Sequence, residues 1–238
     1  MLTVFANVAE GSCAGRSQSL SCVKYKKYFT TEGLTIMTRI AIIVGSTRVH
    51  RRGRMVADWV YEHGRAKAPD GVHFDIVDLV DFALPVLDEP APAAWGVYEH
   101  SYSRQWAETI DSYDGYVFVL SEYNHGVPGP LKNAIDYLYN EWINKSAGFV
   151  SYGMQGGVRA VEQMRMIAAE LGLADVGEQV VLSTSTDFDY TGWDESDPAT
   201  TGAFAPAQRQ LADLTATLHA VVTWAEAMIT VRQKLLAA

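Results

Sequence analysis

The chain has 238 residues, 48% of them hydrophobic, and a formal net charge of −9. That is enough apolar material for one large buried core and too much for a chain disordered throughout. The acidic balance argues against nucleic acid or an anionic membrane as partner. The two cysteines, Cys13 and Cys22, and six scattered histidines give neither a disulfide framework nor a metal-ligand spacing.

Residues 1–36 show no sustained hydrophobic period and carry Lys24, Lys26 and Lys27 in a polar setting. They are expected to be a disordered extension preceding a domain over residues 37–238. They lack the basic start and sustained apolar stretch of a signal peptide, so a cytoplasmic protein is expected. No apolar run reads as long enough to span a bilayer. From Met37 the pattern alternates between strands and helices. Residues 40–44 form a continuous apolar run, as in a strand covered on both faces. Residues 54–67 read as a helix with Met55, Val56, Trp59 and Val60 on one face. Residues 72–77 alternate and predict an edge strand. A helix is predicted over 103–112 and a second fully apolar strand over 116–120. Pro128-Gly129-Pro130 opens a helix predicted to run from 130 to 142, proline being accepted in a first turn.

Residues 148–152 are a third inner strand. Ala160, Val161, Met164, Ile167, Ala168 and Leu171 recur at helical spacing until Gly172 ends the run. Residues 179–182 read as a short strand and 183–203 as a polar, acidic loop. A last helix carries Leu211, Leu214, Leu218, Val221, Val222, Ala225 and Ile229 on one stripe. Five strands with intervening helices predict an α/β fold: a doubly wound five-stranded parallel sheet of order 2-1-3-4-5. Ligands in such sheets bind beyond the carboxyl ends of the strands.

The loop after the first strand, from Gly45 to Arg54, leads into a helix N-terminus, where backbone N–H groups and the helix dipole favour an anion. It holds Ser46, Thr47 and four arginines within seven residues, so a phosphate is the expected ligand. It is neither a Walker loop nor a Gly-x-Gly-x-x-Gly loop. The loop after the 116–120 strand reads Ser121-Glu122-Tyr123-Asn124-His125-Gly126-Val127-Pro128-Gly129-Pro130-Leu131-Lys132-Asn133-Ala134-Ile135-Asp136. Its glycines permit close approach to a planar ligand, Tyr123 can edge a ring, and Asn124 offers both donor and acceptor. Lys132 and Asp136 are expected to face solvent or pair across the helix.

This segment resembles the Pro-Glu-Tyr-Asn…Pro-Gly-x-Leu-Lys-Asn-Ala-Ile-Asp signature of the NADPH-dependent FMN reductase family, which is flavodoxin-like. Gly45-Ser46-Thr47-Arg48 matches that family's phosphate loop. Tyr152-Gly153…Gly156-Gly157-Val158-Arg159-Ala160 matches its third ligand loop. The resemblance runs over about residues 39–182. It implies FMN reduced by NADPH, a small-molecule acceptor such as a quinone, dye, flavin or metal ion, and a homodimer. Carried over by position, Ser46, Arg48 and Arg51 hold the phosphate, with Gly53 where the loop enters its helix. Glu122, Tyr123, Asn124 and Gly126 border the flavin ring, and Gly153, Gly156 and Gly157 approach its pyrimidine end. Hydride transfer belongs to the cofactor, so no side chain is assigned as catalytic acid or base.

Two departures stand out: the signature's first proline is Ser121 here, and Arg51 and Arg52 occupy a stretch where many members have a serine. The rival reading is a flavodoxin-type electron carrier without a substrate of its own. The arginines of the first loop argue against it, because flavodoxins use a loop rich in threonine and serine.

Overall fold

The computed structural model describes residues 37–192, 194, 196–197 and 202–237. The predicted extension over residues 1–36 lies outside them. The elements run β1 (Thr38–Val44), α1 (Gly53–Lys67), β2 (Val72–Asp78), α2 (Ser101–Asp111), β3 (Gly115–Ser121), α3 (Gly129–Asp136), β4 (Ser146–Gly153), α4 (Val158–Glu170), β5 (Ala174–Ser183), a two-residue pair β6 (Phe188–Asp189) and β7 (Ala203–Phe204), and α5 (Gln208–Leu236). The main sheet has the order β2-β1-β3-β4-β5 with all its neighbours parallel, as the sequence predicts.

The strands divide their side chains between two cores. Ile43, Phe118 and Leu120 face α2, α3 and α4, while Ile42, Val117 and Val119 face α1 and α5. Every residue of β3 is buried, which explains its unbroken apolar run. Each large aliphatic side chain so covered stabilises the fold by about 1.5–3 kcal/mol. One helix of the described residues, α5, is long and apolar enough to cross a membrane. The reading that no apolar run reaches that length is thereby corrected. In the fold its apolar stripe lies on the sheet, and Arg232 near its end bonds Asp114 and the Asn144 carbonyl.

Three elements differ from expectation. The third helix stops at Asp136 and does not reach residue 142. The indole N–H groups of Trp106 and Trp142 donate to the Ala134 and Ile135 carbonyls, drawing the last turn aside so that both rings enter the core. Strand β5 starts at Ala174, earlier than predicted, because its register shifts opposite Ala147–Phe149 and hides the period. Part of the predicted loop over 183–203 pairs as β6 and β7.

The long connection between β2 and α2 lies along α3. Asn133 donates to the Pro85 carbonyl and accepts from the Leu87 N–H, and Asn140 donates to Ala94.

Candidate functional site

Parallel strands end together, so the loops after β1, β3 and β4 are neighbours by construction. The Gly45 N–H donates to the Val119 carbonyl at 2.9 Å, and the Glu122 N–H to the Tyr152 carbonyl at 3.2 Å. These bonds join the roots of the three loops. A side chain at Gly45 would strike Leu131, so the first loop passes flush against α3.

In the first loop Ser46 is buried and residues 47–50 are exposed. The loop ends at the N-terminus of α1, where Arg52 gives no side-chain cap and the first turn holds no acidic residue. Its arginines go to different places. Arg51 donates to Asp78 at 2.5 Å, and Arg54 lies 3.6 Å from the same carboxylate, whose side chain is only 2% exposed. The Arg52 guanidinium lies over the rings of Phe188 and Tyr190. Arg48 reaches across to the second loop and donates to the Tyr123 hydroxyl at 3.3 Å.

The second loop is a tight turn. Tyr123 and Gly126 exchange backbone hydrogen bonds of 3.1 and 2.9 Å, with Asn124 and His125 between them at φ of 49° and 67°. Both central residues are thus left-handed, as a two-residue hairpin turn requires. Asparagine tolerates this conformation well; histidine does so at some cost. The Glu122 side chain turns away from the turn. Its carboxylate accepts from the Arg159 N–H at 3.0 Å and pairs with the Arg159 guanidinium at 2.8 Å, so it caps α4. Arg159 also donates to His125 Nε2 at 2.6 Å, which puts the ring proton of a neutral His125 on Nδ1. Gln163 completes the support by accepting from the Val127 N–H.

In the third loop Gly156 and Gly157 both have φ of 73°. A side chain at Gly156 would meet Val181 at 2.1 Å, and one at Gly157 would meet the Tyr152 backbone at 3.1 Å. The Gly156 N–H is engaged by the Gly153 carbonyl. Gly153 itself sits between Glu122 and the Gly157 N–H. These glycines are fixed by local packing as well as by any ligand.

Of the residues singled out from sequence, Ser46, Arg48, Gly53, Tyr123, Asn124, Gly126, Gly153, Gly156 and Gly157 all lie on the three adjoining loops. Arg51 and Glu122 are on them too, with their charges already engaged. Sequence reasoning passed over Asp78 and Gln163, and it quoted Tyr152, Arg159 and His125 within the loop motifs without giving them a role. Asp78 carried a signal, since it is a carboxylate at the carboxyl end of the predicted edge strand, where ligands of such sheets bind. The arrangement fits FMN: an uncapped helix N-terminus beside serine and arginine for a phosphate, and glycine turns with Tyr123 for a flat ring.

A family profile described as NADPH-dependent FMN reductase matches residues 38–187, which contain all three loops. The chain belongs to the NADPH-dependent FMN reductase family. It is accordingly an oxidoreductase with FMN as its flavin and NAD(P)H as its reductant, on a flavodoxin-like fold.

Among relatives, an NAD(P)H-dependent FMN reductase from Nectria sp. is 44% identical over 132 residues, covering 54% of this chain and 66% of the relative. A quinone reductase of Pseudomonas putida is 30% identical over 165 residues, covering 64% and 82%. Among solved structures, a flavoenzyme NAD(P)H:(acceptor) oxidoreductase from Paracoccus denitrificans superposes with a TM-score of 0.57 at 20% identity. That match covers 81% of this chain and 99% of the other.

Proposed function

We propose that this reductase holds FMN across the carboxyl ends of β1, β3 and β4 and passes its electrons to a quinone-like small molecule. The observation carrying this reading is the convergence of the three loops. An uncapped helix N-terminus with Ser46 and Arg48 lies at one side, and the Tyr123–Gly126 turn and the Gly153–Gly157 bend lie at the other. Among the described residues the hydrogen-bond partner of Arg48 is a neutral phenol, so its charge is available to a phosphate. Arg51 acts from its ion pair with Asp78, fixing the shape of the loop that Gly53 carries into α1.

Bound FMN supplies the two-electron chemistry, accepting hydride from NAD(P)H. The protein supplies position and field. Arg48, Ser46 and the first turn of α1 neutralise the phosphate. The Glu122–Arg159–His125 chain stiffens the turn that carries Tyr123, Asn124 and Gly126. Gly153, Gly156 and Gly157 keep backbone without side chains facing the ring. A quinone acceptor is supported by the quinone reductase relative.

We place the enzyme in the cytoplasm as a homodimer. Val86, Trp95 and Val97, exposed on the connection along α3, offer apolar surface to a second copy. Residues 37–238 are proposed to be a sufficient FMN-binding unit.

Anaerobic stopped-flow mixing with NADPH and with NADH tests the function, followed by a panel of quinones, ferricyanide and free flavin. Rapid bleaching of bound FMN and reoxidation by a quinone are expected. FMN that stays oxidised with both nucleotides would make the chain an electron carrier instead.

A further inference from the structure

His125 stands in the Tyr123–Gly126 turn, exposed, with a left-handed φ of 67°. Glycine takes that conformation freely, whereas a residue with a Cβ takes it under strain. Backbone strain of this kind collects at active sites and ligand clamps. The ring is held through Nε2, which meets Arg159 Nη1 at 2.6 Å. Arginine has no acceptor, so Nε2 offers its lone pair and the neutral ring keeps its proton on Nδ1. Among the described residues Nδ1 completes no hydrogen bond.

The partner fixes where the ring lies. Arg159 is in the first turn of α4, directly after the Gly153–Gly157 bend, and is itself pinned at 2.8 Å by Glu122 from the root of the second loop. His125 therefore spans the second and third loops, the two that border the flavin ring. The two nitrogens of an imidazole point in diverging directions. With Nε2 turned to Arg159, the Nδ1–H is directed away from α4, on an exposed side chain. A guanidinium on the lone pair polarises the ring and makes that N–H a stronger donor.

We propose that the Nδ1–H of neutral His125 donates to the carbonyl oxygen of a quinone lying on the flavin, a specificity contact for acceptors whose oxygen gains charge. The inference rests on the quinone reading given above and names the residue that serves it. A quinone that takes a hydride from the flavin gains two electrons and one proton and becomes a hydroquinone monoanion. A second proton, from water, completes the hydroquinone. Between those events an oxygen carries the negative charge. A polarised neutral donor meets that oxygen without giving up its own proton, so His125 acts as neither acid nor base. The strained backbone and the Arg159 contact hold the donor in place before the acceptor arrives.

The test sets two acceptors against each other in the FMN-loaded full chain. The protein is reduced anaerobically with NADPH and mixed in a stopped-flow instrument with benzoquinone or with ferricyanide. Ferricyanide takes electrons singly and has no carbonyl oxygen. His125→Gly suits the left-handed turn and removes the donor, whereas His125→Asn tolerates the turn and keeps an N–H. In His125→Gly the ratio of quinone to ferricyanide rates should fall about tenfold, the scale of one hydrogen bond to a charged group, and His125→Asn should restore part of it. A second readout needs no turnover. 4-Nitrophenolate, titrated against the oxidised protein and followed by its own absorbance, should bind wild type about tenfold more tightly than His125→Gly. An equal loss toward both acceptors marks a structural role and overturns the inference. So does an unchanged ratio, or nitrophenolate binding that is absent or indifferent to the substitution. A wild-type chain that is reoxidised by ferricyanide but by no quinone would refute the acceptor reading itself, and this assignment with it.

Discussion

Gly156 separates what the fold requires from what the cofactor requires. It adopts a φ of 73°, and a methyl group there would begin 2.1 Å from Val181 Cγ1. Gly156→Ala therefore pays twice. The left-handed backbone costs a residue with a Cβ roughly 1–2 kcal/mol. Forcing β5 to yield at Val181 adds roughly 1–3 kcal/mol of overpacking. The sum is about 2–5 kcal/mol, a large part of the stability of an ordinary domain. Urea denaturation of the flavin-free chain measures it without interference from ligand binding. The double variant Gly156→Ala, Val181→Ala removes the steric part and keeps the backbone part. It should recover about 1–3 kcal/mol relative to the sum of the single losses. A single variant that loses less than about 1 kcal/mol, or a double variant that recovers nothing, refutes the packing argument. The glycine would then be retained for the ligand alone.

Arg48→Ala should weaken FMN by about 1.5–3 kcal/mol in calorimetric titration and leave riboflavin nearly unchanged, since among the described residues it donates to the neutral Tyr123 hydroxyl and to no carboxylate. Asn124→Ala, at φ of 49°, should shift the flavin spectrum and slow reduction by NADPH more than it weakens FMN; an unaltered spectrum and rate would place the turn away from the ring. Glu122→Gln breaks the pair with Arg159 and the charged cap of α4, and should cost about 1–3 kcal/mol in thermal or urea unfolding.

Burial lowers Lys145 to about 8 from an ordinary 10.5, against the pull of Asp111, while buried Tyr116 beside it is pushed up and stays protonated. Between those two values the unfolded chain binds the proton that the folded chain has released, so stability rises with pH there and levels off below 8 and above 10.5, where both states carry the same charge. The stability difference between wild type and Lys145→Met should climb from pH 8 to 10.5, and a flat difference would refute the assignment.

The sheet was readable because its inner strands are continuous apolar runs, and residues 40–44 and 116–120 fall inside β1 and β3. Lys132 and Asp136 pair at 2.6 Å, as their spacing predicts. What escaped was set by contacts distant in sequence. The end of α3 depends on two tryptophans, one of them 28 residues away from the carbonyl it binds. The two extra residues of β5 are hidden by a register shift visible only against β4.

At the candidate site, residue types and loop order were legible, whereas commitments were not. Nothing in the local sequence shows that Arg51 belongs to Asp78, 27 positions on, or that Glu122 caps a helix starting at Val158. Tyr152 looked like a strand residue, and its hydroxyl meets Gly53 only because two strands run parallel.

The candidate pocket is made from three turns that follow three different strands, and no two of these turns are close in sequence. None of them can take its final position before β1, β3 and β4 are aligned, with α1, β2 and α2 lying between the first two of these strands in the chain and α3 between the last two. Closing such distant pairings is the slow part of assembling a parallel sheet. A refolding chain should therefore acquire helical signal early and flavin quenching late, at the rate of the last strand docking. Flavin added during refolding then acts by mass action on the finished sheet, holding it once formed.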